Sequence, residues 1–179
     1  MTGVRAELRG AHPGPTLALL AEMDAILLPD HPAADPVTGA VHACGHNAQV
    51  AGLCGAALAL NQPQVLDRLA GRIILLAVPA EEYLELDFRR QLVRDRKIRF
   101  LGGKQELIRL GHFRDVDLAM MIHTGTGRSV SLRESMNGFV AQHVRFTGRA
   151  AHAGSSPHTG VNALNAAMLA LQAIHAQRE

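Results

Sequence analysis

Arg72-Ile73-Ile74-Leu75-Leu76-Ala77-Val78 is the stretch of this 179-residue chain that decides its fold. Six apolar residues follow Arg72 without interruption, which is typical of a strand buried on both faces of a parallel sheet. Pro79 ends the run, and the carboxylates of Glu81 and Glu82 follow directly. We therefore predict a central strand with two acidic side chains just beyond its carboxyl end.

Two further apolar runs predict neighbouring strands. Residues 16–21 end at Glu22-Met23-Asp24, and residues 117–122 end at His123. Helical patterns separate these buried runs, so we expect an α/β fold with a twisted, mostly parallel sheet and helices on both faces. Ligands of such sheets bind beyond the carboxyl ends of the strands. The acidic residues and the histidine at these ends therefore predict a single site.

A cysteine and two histidines lie close together in His42-Ala43-Cys44-Gly45-His46. A thiolate, an imidazole and a distant carboxylate suit zinc and its first-row neighbours. Apolar or small residues then recur at helical spacing, at Val50, Leu53, Cys54, Ala57 and Leu58. The cluster is therefore expected on the loop entering a helix, where the helix dipole favours an ionised thiolate. Cys54 is expected in the core.

Composition narrows the functional classes. The chain is 47% hydrophobic and 19% charged, and its formal net charge of +2 argues against a nucleic-acid or membrane surface. Neither a signal peptide nor a membrane-spanning run is recognisable. Two cysteines cannot form a disulfide framework, which favours an intracellular, cytoplasmic protein.

The second half of the chain has a different pattern of charged and apolar residues. Residues 83–99 are rich in charge and predict a solvated helical insert. Strands are expected at residues 129–134 and 139–146, and a turn at residues 148–154. A helix from about Pro157 has apolar residues on one face, at Val161, Leu164, Met168, Leu171 and Ile174. These features predict one domain over residues 1–127 and part of another over residues 128–179.

Five motifs now occur in an order that resembles the M20 family of metallopeptidases, specifically its amidohydrolase branch. That branch includes N-acyl-amino-acid hydrolases, aminobenzoyl-glutamate hydrolase and β-alanyl-dipeptidase-like members. The resemblance covers essentially the whole chain. The motifs are Glu22-Met23-Asp24-Ala25, His42-Ala43-Cys44-Gly45-His46, Pro79-Ala80-Glu81-Glu82, His123 and Gly148-Arg149-Ala150-Ala151-His152-Ala153.

The resemblance implies a partial catalytic α/β domain and the start of an inserted β/α lid domain, through which the full-length relatives form homodimers. It also implies two divalent metal ions, which could be Zn, Mn, Co or Ni, and a small-molecule amide or peptide substrate. Glu81 then corresponds to the general base, and His152 to a histidine that stabilises the oxyanion in a neighbouring subunit. The implied metal ligands are Cys44, His46, Glu82 and His123.

Two residues in or beside the cluster, His42 and Asn47, are not among the implied metal ligands. His42 could serve as a ligand, but a structural or hydrogen-bonding role beside the ligands is the preferred interpretation, since metal ligands almost always have such partners. Asn47 stands where much of the branch has an aspartate, which bears on the subfamily rather than on loss of the site.

The resemblance also leaves alternatives to a complete enzyme. Family members are longer, and their C-terminal half supplies a further histidine ligand, a role that neither His158 nor His175 fits. The chain is therefore expected to be a fragment, and the alternative function is a non-catalytic fragment or interaction module. A structural zinc domain is disfavoured, because such sites are usually closed by four Cys/His ligands at short spacings.

Overall fold

The computed structural model describes residues 2–125, 127–132, 138, 140 and 142–178. The chain forms two compact units, whose boundary in the sequence falls between Arg128 and Ser129. The first contains β1 (Val4–Arg9), β2 (His12–Glu22), β3 (Ile26–Leu27), β4 (Ala40–Val41), α1 (His46–Leu60), α2 (Pro63–Leu66), β5 (Ala70–Val78), α3 (Leu86–Arg94), α4 (Gly103–Arg109) and β6 (Leu118–Met121). The second contains a 3₁₀ turn, Pro157–Thr159, and α5 (Ala163–His175).

Among the described residues, the main sheet has four strands in the order β1-β5-β2-β6. Strand β2 is parallel to both neighbours, with Leu19 opposite Leu75 of β5 and Met120 of β6. The three strands predicted from apolar runs are therefore confirmed, and so is the mostly parallel sheet. Strand β1 pairs antiparallel with β5 and was not predicted. Its sequence alternates charged and apolar residues, and most of its side chains are exposed.

Both faces of the sheet pack against helices. Ala18 and Ile74, both fully buried, pack with Leu107 of α4. Successive side chains of a strand point to opposite faces, and Leu19 lies near Leu53 of α1. The predicted helices on both faces are thus present, and the carboxyl ends of β2 and β5 project between α1 and α4.

Two burial predictions are wrong. Strand β6 was expected to be buried, but Leu118 is 61% exposed because this strand lies at the edge of the sheet that the described residues form. Cys54 was expected in the core and is exposed. Helix α1 instead turns His46 and Gln49 inward, which leaves the face carrying Cys54 in solvent.

The charged segment after β5 is largely as predicted. Helix α3 has no buried residues, which confirms a solvated helix. Helix α4 was not predicted, and it buries Leu107 and Glu106. Within the part of the chain that the structure describes, no helix is long and apolar enough to cross a membrane.

The second unit agrees with prediction in its helix and in a turn at residues 153–155, which overlaps the turn predicted at residues 148–154. Residues 129–132, 140 and 142–146 lie in no strand, and the remainder of the two predicted strands lies outside the described residues. One bridge joins Arg149 to Val161. Helix α5 begins after Asn162, whose side chain accepts a hydrogen bond from Leu164 N–H and so caps the helix. Its predicted apolar face is exposed, at Leu164, Met168, Leu171 and Ile174.

Candidate metal centre

Gly45 sets the positions of the two potential ligands beside it. It has a φ of 91° and directly precedes α1, a conformation that L side chains rarely adopt. A Cβ atom at this position would also overlap the side chain of Thr124. The Thr124 hydroxyl donates to the Cys44 carbonyl oxygen at 3.2 Å. The loop before α1 is therefore fastened to the chain just beyond β6.

The imidazole of His46 is 1% exposed and is oriented by Asp24. Its Nδ1 lies 2.9 Å from the Asp24 carbonyl oxygen. A carbonyl only accepts, so Nδ1 donates, and Nε2 of the neutral ring carries the lone pair. Among the described residues, this buried Nε2 has no hydrogen-bond partner. Such an unmatched polar atom costs free energy unless another group or ion satisfies it.

Potential ligand atoms lie around the His46 imidazole in two groups, and within each group all atoms lie within 4.8 Å of one another. Cys44, His46 and His123 form the first group. Glu22, His46 and Glu81 form the second. Nε2 of His46 lies 3.1 Å from Glu22 Oε2 and 4.0 Å from Glu81 Oε2.

His123 presents the same ring nitrogen as His46. Its Nδ1 lies 2.7 Å from the Thr124 carbonyl oxygen and therefore donates to it. Nε2 of the neutral ring is then the lone-pair atom, and it lies 3.5 Å from Cys44 Sγ. Two imidazole lone pairs and one sulfur thus converge from segments that are far apart in the sequence.

The two adjacent glutamates are placed differently. The Glu82 side chain forms a hydrogen bond with Cys44, while its backbone N–H donates to Asp24 Oδ2 at 2.8 Å. In the described chain Glu82 belongs to neither group of close ligand atoms, whereas Glu81 belongs to one. The assignment of Glu82 as a ligand and Glu81 as the base stays a prediction.

Burial and negative charge dominate the electrostatics of the site. Burial raises the pKa of the Cys44 thiol to about 11, and a hydrogen bond to Glu82 and the charges of nearby glutamates reinforce it. The expected dipole-favoured thiolate is therefore wrong for the protein without a cation. Burial and the charge of Glu22 also raise the pKa of Glu81, against the opposing effect of Lys104. A raised pKa makes Glu81 a better proton acceptor.

Glu22 connects the site to two further residues. Its side chain is 2% exposed. Oε1 accepts from Lys104 Nζ, and Oε2 accepts from Gln49 Nε2 at 3.1 Å. The Glu22 N–H in turn donates to Gln49 Oε1 at 2.9 Å. The sequence-based prediction missed both partners, although Gln49 lies three residues after His46 and so on the same helix face.

Two other predicted residues, His42 and His152, belong to neither group of close ligand atoms among the described residues. His42 is exposed. His152 belongs to the second unit, where it is exposed and its Nδ1 accepts from the N–H groups of Gly154 at 3.1 Å and Ser155 at 3.2 Å. The neutral ring of His152 therefore carries its proton on Nε2 and can donate from there.

The donor set fits a first-row divalent ion. Zinc and its neighbours accept thiolate, imidazole and carboxylate ligands together. The two groups share His46 and include all three donor types. A divalent cation would be satisfied by this set of imidazole, sulfur and carboxylate atoms, and it would displace the proton of the Cys44 thiol.

The chain is similar to known hydrolases along most of its length. The profile of peptidase family M20/M25/M40 matches residues 18–174. Indole-3-acetyl-aspartic acid hydrolase of Enterobacter agglomerans is 36% identical, over 98% of this chain and 39% of that hydrolase. One subunit of p-aminobenzoyl-glutamate hydrolase from Escherichia coli (strain K12) is 33% identical, with the same shares covered.

Solved structures show the same fold. A putative aminohydrolase from methicillin-resistant Staphylococcus aureus superposes with a TM-score of 0.62 at 24% identity, over 99% of this chain and 45% of that one. The YXEP protein of Bacillus subtilis, a dinuclear metal-binding peptidase, gives a TM-score of 0.50 at 30% identity, over 67% of this chain and 30% of that one. The chain thus spans less than half the length of each of these relatives.

Proposed function

The chain belongs to peptidase family M20/M25/M40, and on that premise we propose that it forms the metal-binding part of an amidohydrolase. The reaction is hydrolysis of the amide bond of an N-acyl amino acid or a dipeptide-like substrate. A bound divalent ion supplies polarisation of the scissile carbonyl and a lowered pKa for water.

One observation carries this proposal. Nε2 of His46 is buried and has no hydrogen-bond partner among the described residues, and the His46 ring belongs to both groups of close sulfur, nitrogen and oxygen atoms. A protein interior rarely leaves such an atom unsatisfied. A divalent cation accounts for all of these atoms at once, which a packing role for His46 does not.

Each predicted residue has a chemical role in the proposal. Cys44, His46 and His123 hold the cation, and Glu82 joins them. Glu81 accepts the proton of the attacking water and passes it to the leaving amine, a task suited to a carboxylate with a raised pKa. His152 donates from Nε2 to the developing oxyanion. We propose that it does so in the neighbouring subunit of a cytoplasmic homodimer that is joined through the second unit.

The names of two relatives suggest a substrate class. One hydrolyses indole-3-acetyl-aspartic acid and the other p-aminobenzoyl-glutamate. Both names describe the amide of an acidic amino acid, so we propose N-acyl-aspartate and N-acyl-glutamate as the substrates to test first. Xaa-Arg dipeptides are the second class, after the mouse Xaa-Arg dipeptidase, which is 34% identical over 86% of this chain.

Metal content and hydrolysis test the proposal together. The purified chain is loaded separately with Zn, Mn, Co and Ni, its bound metal is measured by elemental analysis, and the acyl amino acids are assayed. We expect metal binding that Cys44→Ser weakens and that Cys54→Ser, the matched exposed cysteine, leaves intact. Binding without hydrolysis would favour the non-catalytic alternative. A chain that binds none of the four ions would rule out the metal centre.

A further inference from the structure

We propose that Lys104 is a positioning residue of this metal centre. By holding the carboxylate of Glu22, it fixes the position of that carboxylate beside Nε2 of His46, the nitrogen that would face a cation. The inference rests on the proposed function, because it requires a cation beside His46.

Glu22 has a carboxylate that is buried in the protein interior. A carboxylate in a protein interior has to be paired and hydrogen-bonded, since desolvation of an isolated charge costs far more than folding can supply. Lys104 supplies the counter-charge to Oε1, and the Gln49 amide supplies a donor to Oε2. Both oxygens are therefore satisfied by side chains that come from α4 and α1.

The other oxygen of the Glu22 carboxylate lies beside His46. Nε2 of His46 is 3.1 Å from Glu22 Oε2, well within reach of a hydrogen bond. Glu22 also belongs, with His46 and Glu81, to a group of close potential ligand atoms. Without Lys104, Gln49 alone would hold the carboxylate, and its position beside Nε2 of His46 would no longer be fixed at both oxygens. Lys104 therefore orients this carboxylate by holding Oε1 while Gln49 holds Oε2.

The backbone at the start of α4 keeps Lys104 in place. Helix α4 begins at Gly103, whose N–H donates to the Ala80 carbonyl oxygen at 2.8 Å. A Cβ atom on Gly103 would overlap the Pro79 carbonyl oxygen, so only glycine permits this approach. Ala80 itself has a φ of 60°, a strained value for a residue other than glycine. The backbone that carries Lys104 therefore packs directly against the turn that precedes Glu81.

The Lys104 side chain is also partly buried. It is 33% exposed, so much of its stem is covered while the ammonium group reaches Glu22. Lys97, in the same segment between β5 and β6, is 66% exposed and pairs with Asp95 at 3.9 Å. These two lysines offer a matched comparison between a positioned ammonium group and a solvated one.

The test measures the dissociation constants of Mn²⁺ and Zn²⁺ by competition with a chromophoric chelator. We expect Lys104→Met to weaken binding by roughly 10- to 100-fold, the usual effect of removing a group that orients a ligand. Lys104→Arg should bind close to wild type, and Lys97→Met should be unchanged. Circular dichroism and thermal melts of the metal-free variants check that each one is folded. If Lys104→Met fails to fold, Lys104→Gln replaces it under the same criterion.

A double-mutant cycle with Glu22→Met tests whether Lys104 affects metal binding through Glu22 or independently of it. Because Lys104 acts through Glu22, Lys104→Met should change metal binding little when Glu22 is already Met. Unchanged or tighter binding by Lys104→Met alone would overturn the inference, since loss of a positive charge without a positioning role favours a cation. Equal weakening in both backgrounds would overturn it too. A wild-type chain that binds neither ion would refute the proposed function and the inference together.

Discussion

Sγ of Cys44 lies 3.5 Å from Nε2 of His123, although 79 residues separate them in the chain. The contact joins the loop before α1 to the residues that follow β6, and Gly45 makes it possible because no side chain fits beside Thr124. The spacing Cys-Gly-His is thus a steric requirement of the folded site as well as a sequence motif.

We therefore expect Gly45→Ala to impair metal binding more than it lowers the stability of the fold. The left-handed conformation costs a residue other than glycine about 1–2 kcal/mol, and the new methyl group would displace Thr124 or Cys44. We expect weaker Zn²⁺ binding and a modestly lower free energy of unfolding, measured by chelator competition and urea titration. Gly55→Ala is the control, because a Cβ atom there meets nothing within 4 Å. Wild-type affinity in Gly45→Ala would contradict the steric role.

Glu81 and Glu82 should be separable by substitution in a complete homologous enzyme. If Glu81 is the base, Glu81→Gln leaves metal content intact and lowers kcat by about 10²-fold or more. Glu82→Gln should instead lose metal, as measured by elemental analysis. The opposite pattern would mean that the two roles are reversed, in keeping with the position of Glu81 in a group of close ligand atoms.

The two cysteines should differ in reactivity towards a thiol reagent. Cys54 is exposed, whereas the pKa of Cys44 is raised to about 11. Only the thiolate reacts, so at pH 8 about one Cys44 thiol in a thousand is reactive. In Cys54→Ser, labelling of metal-free Cys44 should be slow at pH 8 and accelerate as the pH rises towards 11. Labelling of Cys44 in that variant as fast as labelling of Cys54 in Cys44→Ser would contradict this electrostatic description.

Glu106 should make stability sensitive to acid. It is 2% exposed, and Arg109 lowers its pKa from 4.5 to about 2, with help from the N–H groups of Arg99 and Phe100. Because the folded pKa is below the unfolded one, the stabilisation is complete above about pH 5 and is lost as the pH falls towards 2. It amounts to at most about 3 kcal/mol.

The measurement is urea unfolding at several pH values between 5 and 2. Glu106→Gln should flatten the decline of the unfolding free energy over this window. Asp87→Asn, which removes an exposed carboxylate on α3, should leave the decline as it is in the wild type. A decline equally steep in Glu106→Gln would assign the acid sensitivity to other groups.

The buried face of β5 should dominate the stability of the first unit. Ile74 is fully buried between its neighbours in the sheet and α4. Ile74→Ala removes apolar contact and leaves a cavity, so we expect a loss of about 2–5 kcal/mol in chemical denaturation. Leu58→Ala, at a position that is 73% exposed, should change the unfolding free energy far less. Similar losses at both positions would argue against this core.

Sequence-based prediction succeeded where a single segment contained the whole signal. The runs that became β2, β5 and β6 are continuous and apolar, and the family motifs follow each of them. Strand β1 was missed because half of its residues are charged, which suits an exposed edge strand. The burial of β6 was overestimated, since an apolar run does not reveal which strand lies at an edge.

In the candidate site, too, the sequence predicts some residues and not others. The clustering of Cys44, His46 and His123 follows from motif order and strand ends, which a sequence displays. Lys104 is different, because its contact with Glu22 depends on how α4 packs against β2. A lysine 82 residues from its partner has no local pattern that would distinguish it from a solvated one.

The edge position of β6 gives a bound ion a second, mechanical consequence. Along its length β6 pairs with β2, and within the described part of the chain no strand pairs with its other side. Edge strands of this kind fray before central ones. An ion bound by both Cys44 and His123 would link the end of β6 to the start of α1. Removal of the ion by a chelator would then also destabilise the pairing of β6 with β2.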